Sequence, residues 1–335
     1  MKRENIVGRA NVEDTPELEA YYRELEAREL GALWNVANEI EPWFPQPKSV
    51  PTIWRWREIE PLVRRAPQLV TAEKAARRVV MLVNPGRREW SAAVGLLYSG
   101  IQIMNPGEFT SAHRHQASAL RFVMEGRGAY TVVEGEKMQL GARDFVLTPN
   151  GTWHDHGVDA DGGQCVWQDG LDIPLMNSLD ANFYEVHPEV VQKPRERRSR
   201  KAWKRPYSPV FLYRWDESHK ALKKNGAVYE YTNPLTGGPV MPTMGARLQL
   251  LRKGAVTKRT RHTGSAIYQV AEGRGWSEIG GKRFDWEEKD VFCVPSWAAH
   301  RHANGSATED AVLFSFNDFP AMRSLALWRE EQVPA

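Results

Sequence analysis

The sequence has little cysteine and no long apolar run. Its 335 residues include two cysteines, Cys165 and Cys293, which are too few for a disulfide framework and lack metal-motif spacing. Both are expected to be reduced, buried strand residues. No run of about 18 uncharged apolar residues occurs, and residues 1–17 lack the apolar stretch of a signal peptide. These absences predict a cytoplasmic globular protein that has no membrane partner.

Charge of one sign is concentrated in a single segment. The net charge is +3, yet residues 193–205 carry eight Lys or Arg residues and one Glu. Such a run can contact nucleic acid or another anionic surface. No aromatic-interleaved groove or recognition motif accompanies it, so we interpret it as a solvated linker or subunit contact and expect no nucleic-acid partner.

The N-terminal part differs in texture from the rest of the chain. Residues 15–37 have apolar side chains at helical spacing after a typical helix start at Thr15, which predicts one amphipathic helix. The proline- and tryptophan-rich residues 41–61 predict an irregular packed arm. A second helix is predicted to begin at Thr71 and to stop before Asn84.

After Trp90 the sequence consists of short β-type runs separated by glycine turns, and this pattern occurs twice. The tetrapeptide EGRG at 125 recurs at 272, and PNGTWHDH at 149 aligns with PSWAAHRH at 295. Two tandem copies of one β-barrel domain follow. The predicted organisation is an N-terminal helical and proline-rich arm, a first barrel, a basic linker and a second barrel, over residues 1–92, 93–190, 191–230 and 231–335.

Seven of the nine histidines lie in these repeated motifs. His113 and His115 are two residues apart, so they share a face if residues 107–122 are strand-like, and that inward face would continue to Arg121. His154 follows a turn and can line the same barrel. Three imidazoles with no cysteine nearby predict a site for a borderline divalent ion such as iron(II), zinc, manganese or nickel.

The histidine motifs resemble those of the cupin superfamily. Gly107-x5-His113-x-His115 and Pro149-x-Gly151-x2-His154 correspond to its two motifs, but Ala119 and Leu120 stand where the usual glutamate ligand would be. The missing glutamate ligand is a feature of the gentisate 1,2-dioxygenase family and its salicylate and 1-hydroxy-2-naphthoate relatives. The sequence resembles this family in three stretches: AHRHQASALRFVMEGRGAYTVVEGEK, LTPNGTWHDHG and WQDGLDIPL.

The resemblance implies a mainly β bicupin, with two tandem jelly-roll barrels and an N-terminal helical arm. It implies one Fe(II) per subunit in the first barrel, held by His113, His115 and His154, in a homotetramer. The implied activity is that of an oxidoreductase that uses O2 to open the ring of a small aromatic acid, an ortho-hydroxybenzoate. The ring opens between the carboxyl-bearing and hydroxyl-bearing carbons, as in gentisate to maleylpyruvate. Salicylate, substituted salicylates and 1-hydroxy-2-naphthoate stay open as substrates.

Six further residues are predicted to meet the substrate. Arg121 is expected to hold its carboxylate, the alternative being a structural salt bridge inside the barrel. His156, two residues beyond His154, is the candidate catalytic acid or base, or else a packing residue. The resemblance implies that Asp169 binds a 5-hydroxyl group of the substrate and that Arg77 helps to bind its carboxylate. It also places Tyr98 and Gly100 beside the substrate ring, where a glycine leaves room for larger substrates. Asp172 is expected to support a turn.

The second copy is predicted to be degenerate. Thr260 replaces His113 and Tyr268 replaces Arg121, while His262 and His300 remain. We therefore expect this barrel to bind iron weakly at most, to lack an anion-binding group and to act in packing and oligomer contacts. Two other functions stay open: a metal-dependent isomerase or hydrolase that uses zinc or manganese, and a non-catalytic cupin that binds or senses an aromatic acid.

Overall fold

The computed structural model describes residues 12–13, 15–75, 77–195 and 204–334, except for the side chain of Trp90. The chain divides into two compact units, Met1–Gln46 and Pro47–Ala335. The first contains helices α1 (Pro16–Glu26) and α2 (Leu33–Ile40), and the Thr15 hydroxyl accepts a hydrogen bond from the Leu18 amide at 3.2 Å. The prediction of one helix over 15–37 is wrong, because Glu29 adopts a left-handed conformation (φ 56°) that ends the first helix.

The second unit begins with an arm of mixed structure. It contains strand β1 (Thr52–Trp54), helix α3 (Trp56–Leu69), the short helix α4 (Ala72–Ala75) and strand β2 (Val79–Met81). The prediction of irregular structure over 41–61 is therefore wrong in its second half. The helix predicted from Thr71 is also wrong beyond Ala75, because the β-branched pair Val79-Val80 joins the edge of a sheet.

The first barrel consists of two facing antiparallel sheets. Its strands are β3 (Tyr98–Met104), β4 (His113–His115), β5 (Ala119–Glu125), β6 (Ala129–Val133), β7 (Glu136–Gln139), β8 (Phe145–Thr148), β9 (His154–Val158) and β10 (Cys165–Leu171). Helix α5 (Ile173–Ser178), strand β11 (Tyr184–Val186) and strand β12 (Leu212–Tyr213) follow. The sheet orders are β12-β8-β5-β10-β3-β2 and β11-β4-β9-β6-β7.

The second barrel repeats this arrangement. It follows helix α6 (Trp215–Asn225) and contains β13 (Val228–Glu230), β14 (Gly245–Leu251), β15 (Thr260–His262), β16 (Ala266–Glu272), β17 (Arg274–Ile279), β18 (Lys282–Glu287), β19 (Val291–Val294), β20 (His300–Asn304), β21 (Ala311–Asn317), helix α7 (Phe319–Ser324) and β22 (Glu330–Gln332). The sheet orders are β1-β19-β16-β21-β14-β13 and β18-β17-β20-β15-β22.

Each barrel gains an edge strand from the segment that precedes the other barrel in the sequence. Strand β1 pairs with β19 of the second barrel, and β12 pairs with β8 of the first. The two arm helices begin alike: the Trp56 amide donates to Asp290 Oδ1 at 2.7 Å, and the Trp215 amide donates to Asp144 Oδ1 at 2.9 Å. The repeat thus extends beyond the barrels into both arms.

The segment predicted as a basic linker carries β12, α6 and β13 in its second half. Residues 196–203 of its basic run lie outside the described residues. The predicted domain boundaries at 92, 190 and 230 stay predictions.

The two barrels share one apolar core. Phe122 of the first barrel stacks on Phe314 of the second, with ring centroids 4.0 Å apart and nearly parallel planes. Cys165 and Cys293 are free, buried strand residues, which confirms that prediction. Within the described part of the chain, no helix is long and apolar enough to cross a membrane.

Candidate metal centre

Three histidines meet inside the first barrel because their strands are neighbours. His113 and His115 lie on β4, and His154 on β9 stands directly opposite His113 in the antiparallel pairing of the two strands. One ring nitrogen from each residue lies within 4.8 Å of those of the other two, and all three residues are buried. Among the described residues this is the one group of three or more His, Cys, Asp or Glu side chains with such geometry.

Backbone carbonyls fix the tautomer of all three rings. Nδ1 of His113 donates to the Ser111 carbonyl at 2.7 Å, that of His115 to the Ala117 carbonyl at 2.6 Å, and that of His154 to the Thr152 carbonyl at 2.9 Å. A carbonyl only accepts, so Nδ1 carries the proton and Nε2 keeps its lone pair. All three buried Nε2 atoms have no hydrogen-bond partner among the described residues.

Burial keeps these imidazoles neutral. It lowers the pKa of His113 to about 4 and that of His115 to about 3, and it holds the pKa of His154 well below its usual value. Neutral imidazole is the form that binds a metal. Three Nε2 atoms with free lone pairs, without a carboxylate or thiolate beside them, therefore fit a borderline divalent metal ion.

Arg121 reaches the site from the opposite sheet. The predicted continuous inward face from His113 to Arg121 is wrong, because the strand is interrupted at residues 116–118 and Arg121 lies on β5 of the other sheet. Its charge nevertheless helps to lower the pKa of His113, His115 and His154, behind burial as the main cause.

Arg121 makes a buried ion pair with Asp169. Arg121 Nε lies 3.0 Å from Asp169 Oδ1, and both side chains are less than 5% exposed, at 3% and 4%. Arg121 Nη1 also donates to Thr148 Oγ1 at 3.2 Å. Burial lowers the pKa of Arg121 to about 10 and raises that of Asp169 to about 6, and each charge opposes the shift of the other. The salt bridge considered as an alternative is present as a close charge contact. The hydrogen bond to Thr148 engages one of the five guanidinium N–H donors, and Nε has no hydrogen-bond partner among the described residues.

His156 has one occupied and one free ring nitrogen. Its Nδ1 lies 3.1 Å from Thr131 Oγ1, and its Nε2 is buried without a partner among the described residues. The ring lies beside that of His154, with centroids 5.4 Å apart. Asp172 accepts a hydrogen bond from the Ser118 amide at 2.7 Å, so it supports the connection between β4 and β5, and its expected role in its own turn stays a prediction.

Tyr184, a residue that the sequence did not reveal, lies between Arg77 and the ring of His113. The Arg77 guanidinium carbon lies 5.8 Å from the centroid of the Tyr184 ring, and Tyr184 stacks on His113 at 5.3 Å. Tyr184 lies on β11, which pairs with β4 and places it opposite His115. No motif marks this tyrosine, because its position depends on a strand that returns to the barrel after α5.

Gly100 is constrained by packing. It stands opposite Asp169 between β3 and β10, with Tyr98 two residues away on the same face. A Cβ atom at Gly100 would clash with Val79 Cγ1 and lie 3.0 Å from the Tyr98 hydroxyl oxygen. Burial raises the pKa of Tyr98, so this hydroxyl stays protonated. The absence of a side chain at position 100 is therefore required by packing against β2.

Gln102 is a second residue that the sequence did not reveal. It is buried on β3, and both polar atoms of its side-chain amide lack a partner in the described structure. The residue opposite it is Trp167, whose buried indole nitrogen is also unpartnered. Alternation along β3 places Gln102 on the face of Tyr98 and Gly100, and this alternation is the signal that would have found it.

The second barrel lacks the third imidazole. Thr260 stands opposite His300 in the β15–β20 pairing, where His113 stands opposite His154 in the first barrel. The rings of His262 and His300 are 5.0 Å apart. As the sequence predicted, one histidine is missing from this group. The second barrel therefore has two imidazoles and the Thr260 hydroxyl where the first barrel has three imidazoles.

Comparison with known proteins identifies the family. A family model described as a cupin domain matches residues 100–174 and 247–317, one match in each barrel. The chain is 38% identical over 341 residues to gentisate 1,2 dioxygenase 1 of Aquipseudomonas alcaligenes, and the aligned region covers 95% of this chain and 97% of that protein. It is 35% identical over 344 residues to 5-aminosalicylate 1,2-dioxygenase of Comamonas sp, which covers 95% and 91%.

A solved structure agrees with this relationship. Salicylate 1,2-dioxygenase from Pseudoaminobacter salicylatoxidans, determined with gentisate, superposes with a TM-score of 0.90 at 31% identity and covers 100% of this chain and 99% of that chain. The bicupin fold and the resemblance drawn from the histidine motifs are confirmed. The chain belongs to the gentisate and salicylate 1,2-dioxygenase family of ring-cleaving cupin enzymes.

Proposed function

We propose that the protein is an iron(II)-dependent dioxygenase that opens the ring of an ortho-hydroxybenzoate between the carboxyl-bearing and hydroxyl-bearing carbons, with gentisate as its preferred substrate. The observation that carries the proposal is the group of three orphaned Nε2 atoms of His113, His115 and His154. The relatives named for gentisate and 5-aminosalicylate support the choice of substrate class.

The donor set suits iron(II). Three neutral nitrogens leave the full +2 charge of the ion uncompensated, which favours an anionic ligand with two oxygen donors over a neutral one. A carboxylate with an adjacent phenolate provides such a ligand. When bound, iron(II) supplies open coordination positions and a redox-active centre for oxygen chemistry.

Arg121 is proposed to orient the substrate carboxylate. Its contacts with Asp169 and Thr148 fix the guanidinium and leave further N–H donors for a charge-assisted hydrogen bond. A rigid, partly desolvated donor costs little additional entropy when the ligand binds. The ion pair with Asp169 thus supports the binding role of Arg121. The expected contact of Asp169 with a 5-hydroxyl group stays a prediction.

His156 is proposed to act on a substrate oxygen. Its buried Nε2 is the free polar atom closest in sequence to the metal ligands, and Thr131 holds the opposite ring nitrogen. A neutral imidazole held in this way can accept a proton from a phenol or donate a hydrogen bond after it has been protonated. Arg77 and Tyr98 complete the proposed pocket, together with the space beside Gly100.

The test is oxygen uptake by defined metal forms. Metal-free protein is loaded anaerobically with iron(II) or zinc and then mixed with aerated gentisate, salicylate, 5-aminosalicylate or 1-hydroxy-2-naphthoate, with benzoate as the control that lacks the ortho-hydroxyl. We expect uptake only with iron(II) and only with ortho-hydroxy acids. Absence of uptake with all four acids would overturn the proposal, and zinc-supported turnover without oxygen would indicate an isomerase or hydrolase.

A matched pair of variants locates the reaction. His154→Ala removes one of three ligands in the first barrel, and His300→Ala changes the equivalent position in the second. We expect His154→Ala to lose bound iron and activity and His300→Ala to keep both. Equal losses in the two variants would contradict the assignment of the reaction to the first barrel.

A homotetramer is proposed as the oligomeric state on the basis of the family. Exposed apolar side chains cluster in the segment after α5, where Leu179, Phe183 and Val186 are 63%, 65% and 67% exposed. Such a patch on one segment is typical of a protein–protein contact. Light scattering after size-exclusion chromatography would give the mass, and a monomer would contradict this part of the proposal.

A further inference from the structure

The second barrel contains a large cavity that the proposed reaction does not use. Its volume is 680 Å³, which lies in the range of small-molecule sites. Its walls come from β14, β15, β20, α7 and the segments around them. The lining residues on which the argument rests are Arg247, Thr260, His262, His300, Phe319 and Trp328.

An arginine reaches this cavity from a different strand than in the first barrel. In the first barrel, Asp169 on the central strand stands opposite Gly100 on one side and Arg121 on the other. In the second barrel, Ser315 stands opposite Arg247 and Tyr268 in the same two pairings. Arg247 therefore corresponds in register to Gly100. The position that corresponds to Arg121 lies on the opposite side of the central strand. The expected loss of an anion-binding group rests on Tyr268 at the position of Arg121 and does not take Arg247 into account.

Arg247 retains donor capacity inside the barrel. Its Nη2 donates to the Tyr268 hydroxyl at 3.1 Å, while its buried Nε has no hydrogen-bond partner among the described residues. Nη1 lies 3.8 Å from Glu230 Oε1, and the Glu230 side chain is 56% exposed, so solvent screens that attraction. The buried hydroxyl of Ser315 on the same face is also unpartnered within the described structure.

The charged residues at the mouth of the cavity carry one more negative than positive charge, and Arg247 brings the total to zero. Glu230, Glu330 and Arg323 line the cavity and are exposed, so they contribute two negative charges and one positive charge in a well-solvated position. Arg247 is a more buried cation of the same cavity, with 22% of its side chain exposed. Burial lowers the pKa of Arg247, but Tyr268 and the two glutamates raise it, so the guanidinium stays charged. An anionic group deep in the cavity is therefore attracted to Arg247 in competition with the two exposed glutamates.

The remaining walls form one aromatic surface, because Phe319 and Trp328 pack against each other with ring centroids 4.8 Å apart. Phe319 lies under the Arg247 guanidinium, 5.6 Å from ring centroid to guanidinium carbon, and Trp328 stacks on His262 at 5.3 Å. The Nδ1 atoms of His262 and His300 donate to the carbonyls of Gly264 and Ala298 at 2.9 and 3.0 Å, which leaves both Nε2 atoms as acceptors.

We propose that the cavity of the second barrel binds a small aromatic carboxylate, with its carboxylate on Arg247 and its ring against the joint aromatic surface of Phe319 and Trp328. Thr260 replaces the third imidazole, so the site holds the acid without the metal chemistry of the first barrel. This inference is independent of the proposed reaction. It assigns a second binding site per chain for an aromatic acid, in the barrel that the sequence suggested to be only structural.

The test uses a probe that cannot chelate a metal. Crystals of the unmodified protein are soaked with 4-bromobenzoate, and the anomalous signal of bromine locates the ligand. Titration calorimetry of metal-free protein with benzoate then compares Arg247→Gln with Arg252→Gln, an exposed arginine just beyond the same strand that pairs with Asp310. We expect bromine density in the second barrel. We also expect Arg247→Gln to weaken the second-barrel binding about tenfold or more, as for loss of one charge-assisted hydrogen bond, while Arg252→Gln does not.

Two results would overturn the proposal. Bromine density confined to the first barrel would show that the cavity does not take an aromatic carboxylate, whether or not the variant folds. Equal benzoate affinity in Arg247→Gln and Arg252→Gln would exclude Arg247 as the anchor. Neither measurement involves iron or oxygen, so failure here is distinct from failure of the dioxygenase proposal.

Discussion

Gly100→Ala is expected to destabilise the protein more than it changes substrate preference. The added Cβ would meet Val79 Cγ1 at clashing distance, the Tyr98 hydroxyl oxygen at 3.0 Å and the Val80 carbonyl oxygen at 3.3 Å. Two of these neighbours belong to β2, which hydrogen-bonds to β3 in the register Met81 to Gly100. The methyl group can be accommodated only if β2 or Tyr98 moves.

The expected magnitude follows from overpacking. Insertion of one carbon into a filled site costs about 1–3 kcal/mol. Since Val79 Cγ1 is the nearest atom, Val79→Ala removes the main obstacle. We therefore expect the cost of Gly100→Ala to fall by at least about 1 kcal/mol when it is measured in the Val79→Ala background, as a double-mutant cycle reports.

The assay is urea unfolding of the metal-free protein and its three variants at one pH, followed by kcat/KM for gentisate and 1-hydroxy-2-naphthoate in the iron(II) form. A pure packing role predicts a free-energy loss that Val79→Ala relieves, with similar losses of kcat/KM for both acids. Unchanged stability, together with a change in the substrate ratio within the range of about 10 to 200-fold for methyl-scale pocket effects, would refute this reasoning. Gly100 would then act mainly in specificity.

Three further predictions concern single side chains. Arg121→Leu is expected to weaken salicylate binding about tenfold or more without loss of bound iron, and calorimetry that shows normal affinity would remove the binding role of Arg121. Asn84→Ala is expected to cost several kcal/mol in urea unfolding, because the Asn84 amide group bridges Val50, Gly86 and Ala93 through four hydrogen bonds; a loss below about 1 kcal/mol would contradict this. Burial raises the pKa of Asp318 from 3.8 to about 7, so the folded state binds the proton more tightly than the unfolded state and stability is lost as pH rises across that window. Asp318→Asn should therefore show a smaller fall in Tm between pH 5 and pH 8 than the unmodified protein, and an equal fall would contradict the assignment.

The three-histidine group could be predicted from the sequence because its signal is local. Two histidines at strand spacing and a third after a Pro-x-Gly turn recur in degenerate form in the second copy, and the structure places all three ligand atoms within 4.8 Å. The repeat also predicted both barrels, since each copy carries the same turns and strands.

Arg121 and Arg247 show where local pattern was insufficient. The sequence placed Arg121 on one strand with His113, but the interruption at 116–118 moves it to the facing sheet. Arg247 lies outside the histidine motifs that mark the two copies, so the alignment of those motifs gives no sign of it. Only the strand register shows that Arg247 stands where Gly100 does.

The arms depend on contacts that no short window contains. Helix α3 includes Pro61 and Pro67, which argue against a helix, yet its first turn is anchored by Asp290, more than two hundred residues away. Asp144 anchors α6 in the same way. Tertiary hydrogen bonds of this kind outweigh local propensity and cannot be read from the arm sequence alone.

The most direct test of the central claim is the fate of labelled oxygen. Iron(II)-loaded protein is mixed with gentisate under 18O2, and the ring-opened product is analysed by mass spectrometry. We expect one ring-opened acid that carries both labelled atoms, formed by the unmodified protein and by His300→Ala but not by His154→Ala. Product that lacks the label, or label incorporation that persists in His154→Ala, would contradict dioxygenation at the three histidines of the first barrel.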